Sequence, residues 1–448
     1  MKSLHNPAAV LFAGAFLTLP ALAAQWGPVE VSGFVLDEFS RCGNCALHPR
    51  NPSSYDPRGV LPATAPNLPV NQPGDTTADE ENLFLYMLSA GVAHEFDNAA
   101  TIEARLTTRQ RNYHADIYGQ QLDEAYVGAA YPLWGSVKYG TQFTRSWSRA
   151  DAFAYPYGLT NPWSEGGAGY GLVRHALRLA TPEYEPWLGK LRFELTFAAP
   201  HREYPLNNDS PVYAQPPAPR LSELFVQFSN QKNLIELVAQ HSSGGRQSSF
   251  AEGAFVGAQG NTDQSAAANG YRAPSETVFI LQGNYWHDEH WKFTYGVKRS
   301  WWSGQQQQCD YSAGIKNCYF DQGGFNYAID NGVHSATEYD AMLGLSYVQD
   351  ALWTYTLGGV RLNKAYVSTP TEWGQSNTAT FLNLGAYRKI PNLSSHLDTS
   401  IYGGLSRVQF GRQGPAPLSM PNNQAFGGVD PRVSRYGNTI TLGTKVIF

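Results

Sequence analysis

The chain has few charged side chains and no long apolar run. Charged residues make up 15% of its 448 residues, well under the roughly 25% of an average soluble domain. Beyond residue 24, no apolar stretch approaches the about 18 residues that a membrane-spanning helix needs. The formal net charge of −5 is small, whereas a nucleic-acid partner would require a basic stripe. These absences exclude a helical membrane protein and argue against a nucleic-acid partner.

Motifs that carry enzymatic chemistry are also missing. The sequence has no G-x-S-x-G, no H-E-x-x-H, no Walker loop and no dinucleotide fingerprint opening a helix. Serine, histidine and aspartate are plentiful in the connecting segments but show no catalytic spacing. We therefore expect no enzymatic activity and no cofactor.

Cysteine is scarce, and its four copies form two local pairs. Cys42 lies near Cys45, and Cys309 lies near Cys318. We favour a disulfide within each pair, although four cysteines allow three connectivities. The first pair fails the c-type haem motif because alanine, not histidine, follows Cys45. A metal site with His48 lacks an evident fourth ligand, so we predict no metal, and redox use of this pair stays an alternative.

The first 23 residues predict a secretion signal. Lys2 supplies a positive charge, residues 8–19 form an apolar run, and Ala21 and Ala23 are the small residues of a signal-peptidase site. We expect cleavage after Ala23. A retained membrane helix fits less well because the apolar run is short. Export would place the cysteines in an oxidising compartment, where disulfides persist.

What the chain does have is short segments that alternate between polar and apolar residues. The segment 190–197 is the clearest, and aromatic residues (13%) and 43 glycines accompany it. The sixteen predicted strands lie near 28–40, 83–96, 101–112, 122–132, 136–144, 173–181, 190–199, 221–229, 233–242, 276–286, 291–302, 337–348, 352–366, 378–389, 395–410 and 436–448.

The gaps between these strands are alternately long and short. Long connections lie near 41–82, 144–172, 243–275, 303–336 and 411–435. Outer-membrane barrels have short periplasmic turns and long external loops, whereas a soluble sandwich or propeller has no reason to sort its loops by length. We predict an all-β fold for residues 24–448: a transmembrane antiparallel β-barrel of 16 strands with both termini on the periplasmic side.

Strand parity assigns the charged side chains to the barrel interior. The predicted inward cations are Arg105, Arg109, Lys138, Arg174, Arg178, Arg192 and Lys298. The predicted inward acids are Glu103, Glu194, Glu223, Glu236 and Asp340. Charged rings can select ions by sign, and a barrel of about 16 strands has room for an aqueous channel. The alternative is that these charges pair and only hold the barrel's shape.

The segment from Asp123 to Gln142 resembles a hairpin of the Gram-negative general porins, and Arg174 and the terminal Phe448 also match that family. The resemblance implies a trimer of 16-stranded pores whose third loop, here 144–172, folds into the lumen and forms a constriction. The chain departs from the family in its long, cysteine-bearing loop 41–82 and in its penultimate turn at 389–394.

The sequence therefore predicts an outer-membrane porin for passive diffusion of small hydrophilic solutes and ions, embedded in lipid. The predicted constriction has Asp151 and Glu165 on the loop, facing a cationic wall. The wall residues are Arg105, Lys138, Arg174 and Arg192. One alternative is a substrate-specific channel closed by loops 41–82 and 303–336. Another is a barrel that serves an extracellular electron-transfer cytochrome, with Cys42 and Cys45 near the contact.

Overall fold

The structure is a computed structural model. It describes residues 24–26, 29–43, 79–111, 124–150, 172–185, 188–199, 220–243, 275–303, 308–310, 317–322, 325–328, 335–364, 366–367, 378–394, 397–412 and 434–448. The predicted signal segment 1–23, Cys45 and most of the long connections lie outside these ranges.

Sixteen antiparallel strands form a closed barrel wall. In chain order, β1 to β16 are Val29–Gly43, Asp79–Glu95, Thr101–Arg111, Glu124–Tyr131, Gly135–Phe143, Leu172–Ala180, Lys190–Ala198, Arg220–Ser229, Asn233–Ser243, Ser275–Trp286, Trp291–Ser303, Ser335–Val348, Trp353–Leu362, Ala379–Ser394, Leu397–Phe410 and Tyr436–Ile447. Each strand pairs with the next, and β16 pairs with β1. The terminal Phe448 completes this seam, because it exchanges two backbone hydrogen bonds with Gly33 at 2.9 and 3.1 Å.

All sixteen predicted strands are confirmed, as is the alternation of short and long connections. The largest boundary error concerns β14, which runs to Ser394 rather than ending at 389, and β13 ends at Leu362 rather than 366. The register of β14 with β15 shifts between Ile390 and Ser394. Pro391 lies in this stretch and has no backbone N–H to donate to a ladder, so the strand continues through an irregularity rather than turning.

The sequence reading also missed several short elements. Ala24–Trp26 pairs with β1, and Tyr366–Val367 pairs with β12. A separate three-stranded sheet forms in the connection between β11 and β12, from Gln308–Asp310, Asn317–Gln322 and Phe325–Ala328. These segments have two to six residues, too few for a period-2 pattern to stand out.

The two faces of the wall differ in polarity as strand parity predicts. Leu343 and Val297 face outward and are 71% and 55% exposed, whereas their inward neighbours Met342 and Lys298 are each 2% exposed. Other outward residues are similarly apolar and exposed, among them Leu357, Leu384, Leu405 and Leu442. The barrel thus places an apolar band outside and most of its buried polar groups inside.

Several short turns share one hydrogen-bonding device. The Asn230 side chain accepts from the backbone N–H groups of residues 232 and 233, at 2.9 and 2.7 Å. Asp288 and Asp350 each accept from the N–H groups two and three residues on, at 2.7–2.8 Å. Asparagine and aspartate favour such turns because their side chains satisfy the backbone locally. These hairpins therefore close tightly at one end of the barrel.

The turn at Asp288 predicts a pH-dependent contribution to stability. Hydrogen bonds from the N–H groups of Trp291 and His290 lower the pKa of Asp288 below its ordinary value. This contribution is present above the unfolded-state pKa and is lost as pH falls through the folded-state pKa. Urea unfolding between about pH 7 and pH 3 should therefore show a smaller loss of stability for Asp288→Asn than for wild type. Asp97→Asn is the matched control, because Asn98 is the acceptor in that turn; equal losses in all three proteins would contradict the prediction.

The helix missed by the sequence reading is α1, Arg145–Ala150, which follows β5 directly. Among the described residues, none of the helical structure is long and apolar enough to cross a membrane. The start of α1 is the point from which the chain enters the barrel interior.

Candidate pore constriction

Helix α1 begins at a buried polar turn. The Thr144 carbonyl oxygen accepts hydrogen bonds from the Ser148 N–H at 3.0 Å and from its Oγ at 2.7 Å. The Thr144 and Ser146 hydroxyls lie 3.1 Å apart, and both residues are fully buried. Threonine is a favoured helix N-cap residue, which explains why the strand gives way to a helix here.

A glutamate three strands along the wall from β5 caps the start of α1. Glu223, on β8, accepts from the backbone N–H groups of Arg145 at 2.7 Å and Ser146 at 2.9 Å. Gln240, on β9, donates to both the Glu223 carboxylate (3.0 Å) and the Ser146 hydroxyl (2.7 Å). The first N–H groups of a helix lack intrahelical partners and carry partial positive charge. A buried carboxylate therefore satisfies and stabilises this end.

A second carboxylate gathers three guanidinium groups. Glu194, on β7, forms a two-point ion pair with Arg145, with N–O distances of 2.6 and 2.9 Å. The Arg192 terminal nitrogen lies 2.8 Å from the same carboxylate, and the Arg178 Nε lies 3.9 Å away. Arg178 also donates to the Thr196 hydroxyl at 2.9 Å and to a backbone carbonyl of β5. Glu194 is only 2% exposed, so its removal would leave several buried cations without their acceptor.

A third carboxylate holds the last turn of α1. Arg149 forms a buried ion pair with Glu236 on β9. Gln227 and Gln282 donate to the two oxygens of Glu236, at 2.7 and 3.2 Å. Arg149 is 1% exposed and Glu236 is fully buried. Because ion pairs hold both ends of the helix, they define its position and orientation on the inner wall.

The three carboxylates lie on the inner faces of β7, β8 and β9, so residues 144–150 fold into the barrel. These contacts are consistent with the predicted inward fold at the start of the third loop, but the fold of the loop as a whole stays a prediction. The rest of loop 144–172, including the predicted constriction residues Asp151 and Glu165, lies outside the described residues. For those two positions the assignment stays a prediction.

Two predicted wall cations face the lumen, and they differ in whether a carboxylate lies beside them. Arg105 is exposed on the inner face of β3, and its one described polar contact is the Ser32 hydroxyl at 3.4 Å. Lys138, on β5, is paired: its Nζ lies 2.8 Å from Glu103 and 3.1 Å from the Tyr126 hydroxyl. Lys138 is thus largely neutralised, whereas the charge of Arg105 faces the open interior.

The other two predicted wall cations lie nearer the helix. Arg192 is on the inner face of β7, with its side chain 36% exposed and one end bound to Glu194. Arg174 is partly buried on β6, where the register with β5 shifts and the neighbouring His175 has a left-handed backbone φ of 51°. Arg105, Lys138 and Arg192 therefore share the interior, and Arg174 lies at a distortion of the wall.

The sequence reading did not identify Arg145 and Arg149 as interior residues. Their four-residue spacing places both on one face of a helix, but a six-residue helix between a strand and a long loop gives a weak signal. The reading did place Lys298 and Asp340 inside, and they form a buried pair at 3.6 Å. Within the described ranges, no group of three or more potential metal ligands is present.

Comparison with known proteins identifies the fold. No protein-family model and no curated protein sequence matches the chain. An anion-selective porin from Comamonas acidovorans matches with a TM-score of 0.58 at 12% identity, over 94% of this chain and 99% of that chain. Outer-membrane expressed OmpT of Vibrio cholerae matches with a TM-score of 0.54 at 11% identity, over 95% and 100%. The outer membrane channel DcaP of Acinetobacter baumannii matches with a TM-score of 0.53 at 10% identity, over 96% and 100%. The predicted resemblance to porins is thus confirmed at the level of the fold.

Proposed function

We propose that the protein is an outer-membrane porin through which small hydrophilic solutes and ions diffuse passively. The observation that carries the proposal is the charged segment 144–150, held by buried ion pairs against the inner wall of a closed 16-strand barrel. A closed barrel leaves no unpaired strand edge and can therefore cross a lipid bilayer. A barrel of about 16 strands has an interior wide enough for water. The inward segment would then narrow that channel.

The polarity of the two faces supports this placement. An outward apolar band with aromatic residues at its borders matches lipid, and a polar interior matches water. The solved channels and porins with the same fold are consistent with this role. The proposal assigns no catalytic step and no cofactor to the protein.

The proposal also includes the signal peptide, the oligomeric state and the disulfides of the protein. We assign residues 1–23 as a cleaved signal peptide and expect a homotrimer, as the porin resemblance implies. We also assign disulfides Cys42–Cys45 and Cys309–Cys318. The second is supported by the backbone, because the two residues are direct Cα partners across an antiparallel pair, and such partners are close enough for a disulfide.

Conductance in planar bilayers tests the proposed function. Purified protein should insert and produce stepwise currents that rise linearly with voltage, because a water-filled pore offers no binding step that saturates. Protein that inserts without current steps would contradict the open-pore proposal. Flux that saturates with one solute class and excludes others would instead favour a substrate-specific channel.

A further inference from the structure

One arginine breaks the apolar pattern of the outer face. Arg299 lies on β11 between the outward residues Val297 and Trp301, while its neighbours Lys298 and Ser300 point inward and are 2% and 1% exposed. Strand parity therefore places the Arg299 guanidinium on the lipid side. A cation on that face is costly at the bilayer midplane and nearly cost-free near the interface, so its height and its surroundings decide its role.

The surroundings of Arg299 form an aromatic clamp. Its guanidinium carbon lies 3.8 Å from the ring centroid of Trp301 and 4.8 Å from that of Tyr339. Phe279 is its direct partner on the neighbouring strand and packs edge-on against Trp301, with ring centroids 5.3 Å apart. Cation–π contacts of this kind hold an arginine plane in place, so the guanidinium is presented in a fixed orientation.

The clamped guanidinium has no acidic partner among the described residues. The described part of the chain shows no ion pair for Arg299, and its Nε is buried without a hydrogen-bond partner. The residue as a whole stays partly exposed. An arginine fork matches the oxygens of a phosphate at two points. Because Nε is buried, only the part of the guanidinium that stays exposed can receive an external anion.

The height of the clamp matches the headgroup region. Trp291 is exposed at the short-turn end of β11, and Trp301 is ten residues further along the same strand. With a rise of about 3.3 Å per residue and a tilt of about 45°, this separation is about 23 Å, close to the about 25 Å height of a barrel's apolar band. The two tryptophans therefore mark the two interfaces, and Arg299 lies at the one near the long loops.

We infer that Arg299, clamped between Trp301 and Tyr339, is a binding site for the phosphate group of a lipid in the external leaflet. The lipid's acyl chains would lie along the outward apolar residues below the clamp, such as Val297 and Leu281. This inference rests on the proposed membrane placement but not on solute conduction.

Lipid retention by the purified full chain tests the site. The probe is phosphatidic acid, with diacylglycerol of the same acyl chains as the phosphate-free control, and bound lipid is counted by native mass spectrometry. Wild type should retain phosphatidic acid in preference to diacylglycerol. Arg299→Gln should bind it about five-fold more weakly, the effect of one basic residue near a lipid surface. Trp301→Leu should weaken binding while the charge is kept.

Two further experiments test whether the binding site is at Arg299 and whether the bound phosphate belongs to a lipid. Arg105→Gln removes an arginine from the lumen rather than the lipid face, so its lipid retention should equal that of wild type. Inorganic phosphate should compete poorly, because it lacks acyl chains. Equal retention by wild type and Arg299→Gln, in proteins that both conduct, would overturn the lipid site and leave the proposed pore intact. Full displacement by inorganic phosphate would overturn the lipid source.

Discussion

A Glu194→Gln variant is expected to lose about 3 kcal/mol of unfolding free energy, because breaking a buried ion pair leaves charge uncompensated. Glu194 accepts from Arg145 and Arg192 and lies near Arg178. Glutamine has nearly the same shape as glutamate, but it carries no negative charge to balance these cations. Only one of its two terminal atoms can accept a hydrogen bond. Urea unfolding of the reconstituted barrel measures the loss.

An exposed pair between the start of β7 and the connection before it provides the matched control. Lys190 and Glu183 lie 3.2 Å apart with their side chains 54% and 50% exposed. Exposed pairs contribute roughly 0–1 kcal/mol, so Glu183→Gln should have a small effect. If Glu194→Gln and Glu183→Gln lose the same amount, the anchor at Glu194 does not stabilise the fold as argued.

The loss at Glu194 should also be coupled to Arg145. Combining Glu194→Gln with Arg145→Gln should recover part of the stability, since the double variant removes the helix cation along with its acceptor. Coupling within such a network is about 0.5–3 kcal/mol. In single-channel records, Glu194→Gln should show added current fluctuations because helix α1 is less firmly held. If the variant is destabilised but its currents stay steady, then the ion pairs at Glu194 stabilise the fold without influencing conduction.

The wall could be predicted from sequence because its determinants are local. Period-2 alternation reports which side chains share a face, and alternating gap lengths report which ends of the strands share a side. These two patterns placed Arg105, Lys138 and Arg192 correctly on the inner face. They needed no knowledge of which distant strands lie across the lumen.

The anchor of α1 could not be predicted because its contacts are distant in sequence. Arg145 is 49 residues from Glu194 and 78 residues from Glu223. The successive pairings of β5 to β8 and the curvature of the wall bring β7 and β8 against the segment after β5. A six-residue helix also has too few turns to form without such tertiary support. Strand parity predicted the inward carboxylates but gave no indication that they bind a helix.

The sequence also could not predict which inward cations are bound to other groups and which are exposed. Arg105 and Arg178 both face inward, as parity predicts. Arg178, however, is 7% exposed and bound to its surroundings, whereas Arg105 is exposed. The inward position of a cation therefore does not reveal whether its charge reaches the channel water. That distinction makes Arg105 the better candidate for ion selectivity.

Arg105→Gln is expected to shift the channel toward cations. The Arg105 charge has no acidic partner among the described residues, so a passing ion at about 6 Å in water feels about 0.7 kcal/mol from it. Because this energy favours an anion and opposes a cation, removing it should lower the anion-to-cation permeability ratio by up to about ten-fold before salt screening, and Arg105→Glu should lower it further. Reversal potentials across a salt gradient in planar bilayers measure the ratio.

The salt dependence of this shift identifies its origin. The screening length is about 10 Å at 0.1 M salt and about 3 Å at 1 M, so the shift should be largest in dilute salt and nearly vanish in concentrated salt. Arg299→Gln is the matched control, since it removes the same charge from the outside of the barrel and should leave the ratio unchanged. A reversal potential that is the same for wild type and Arg105→Gln in dilute salt would remove Arg105 from the ion path. A shift of equal size in Arg299→Gln would show that the protein's total charge, rather than the lumen wall, sets the selectivity.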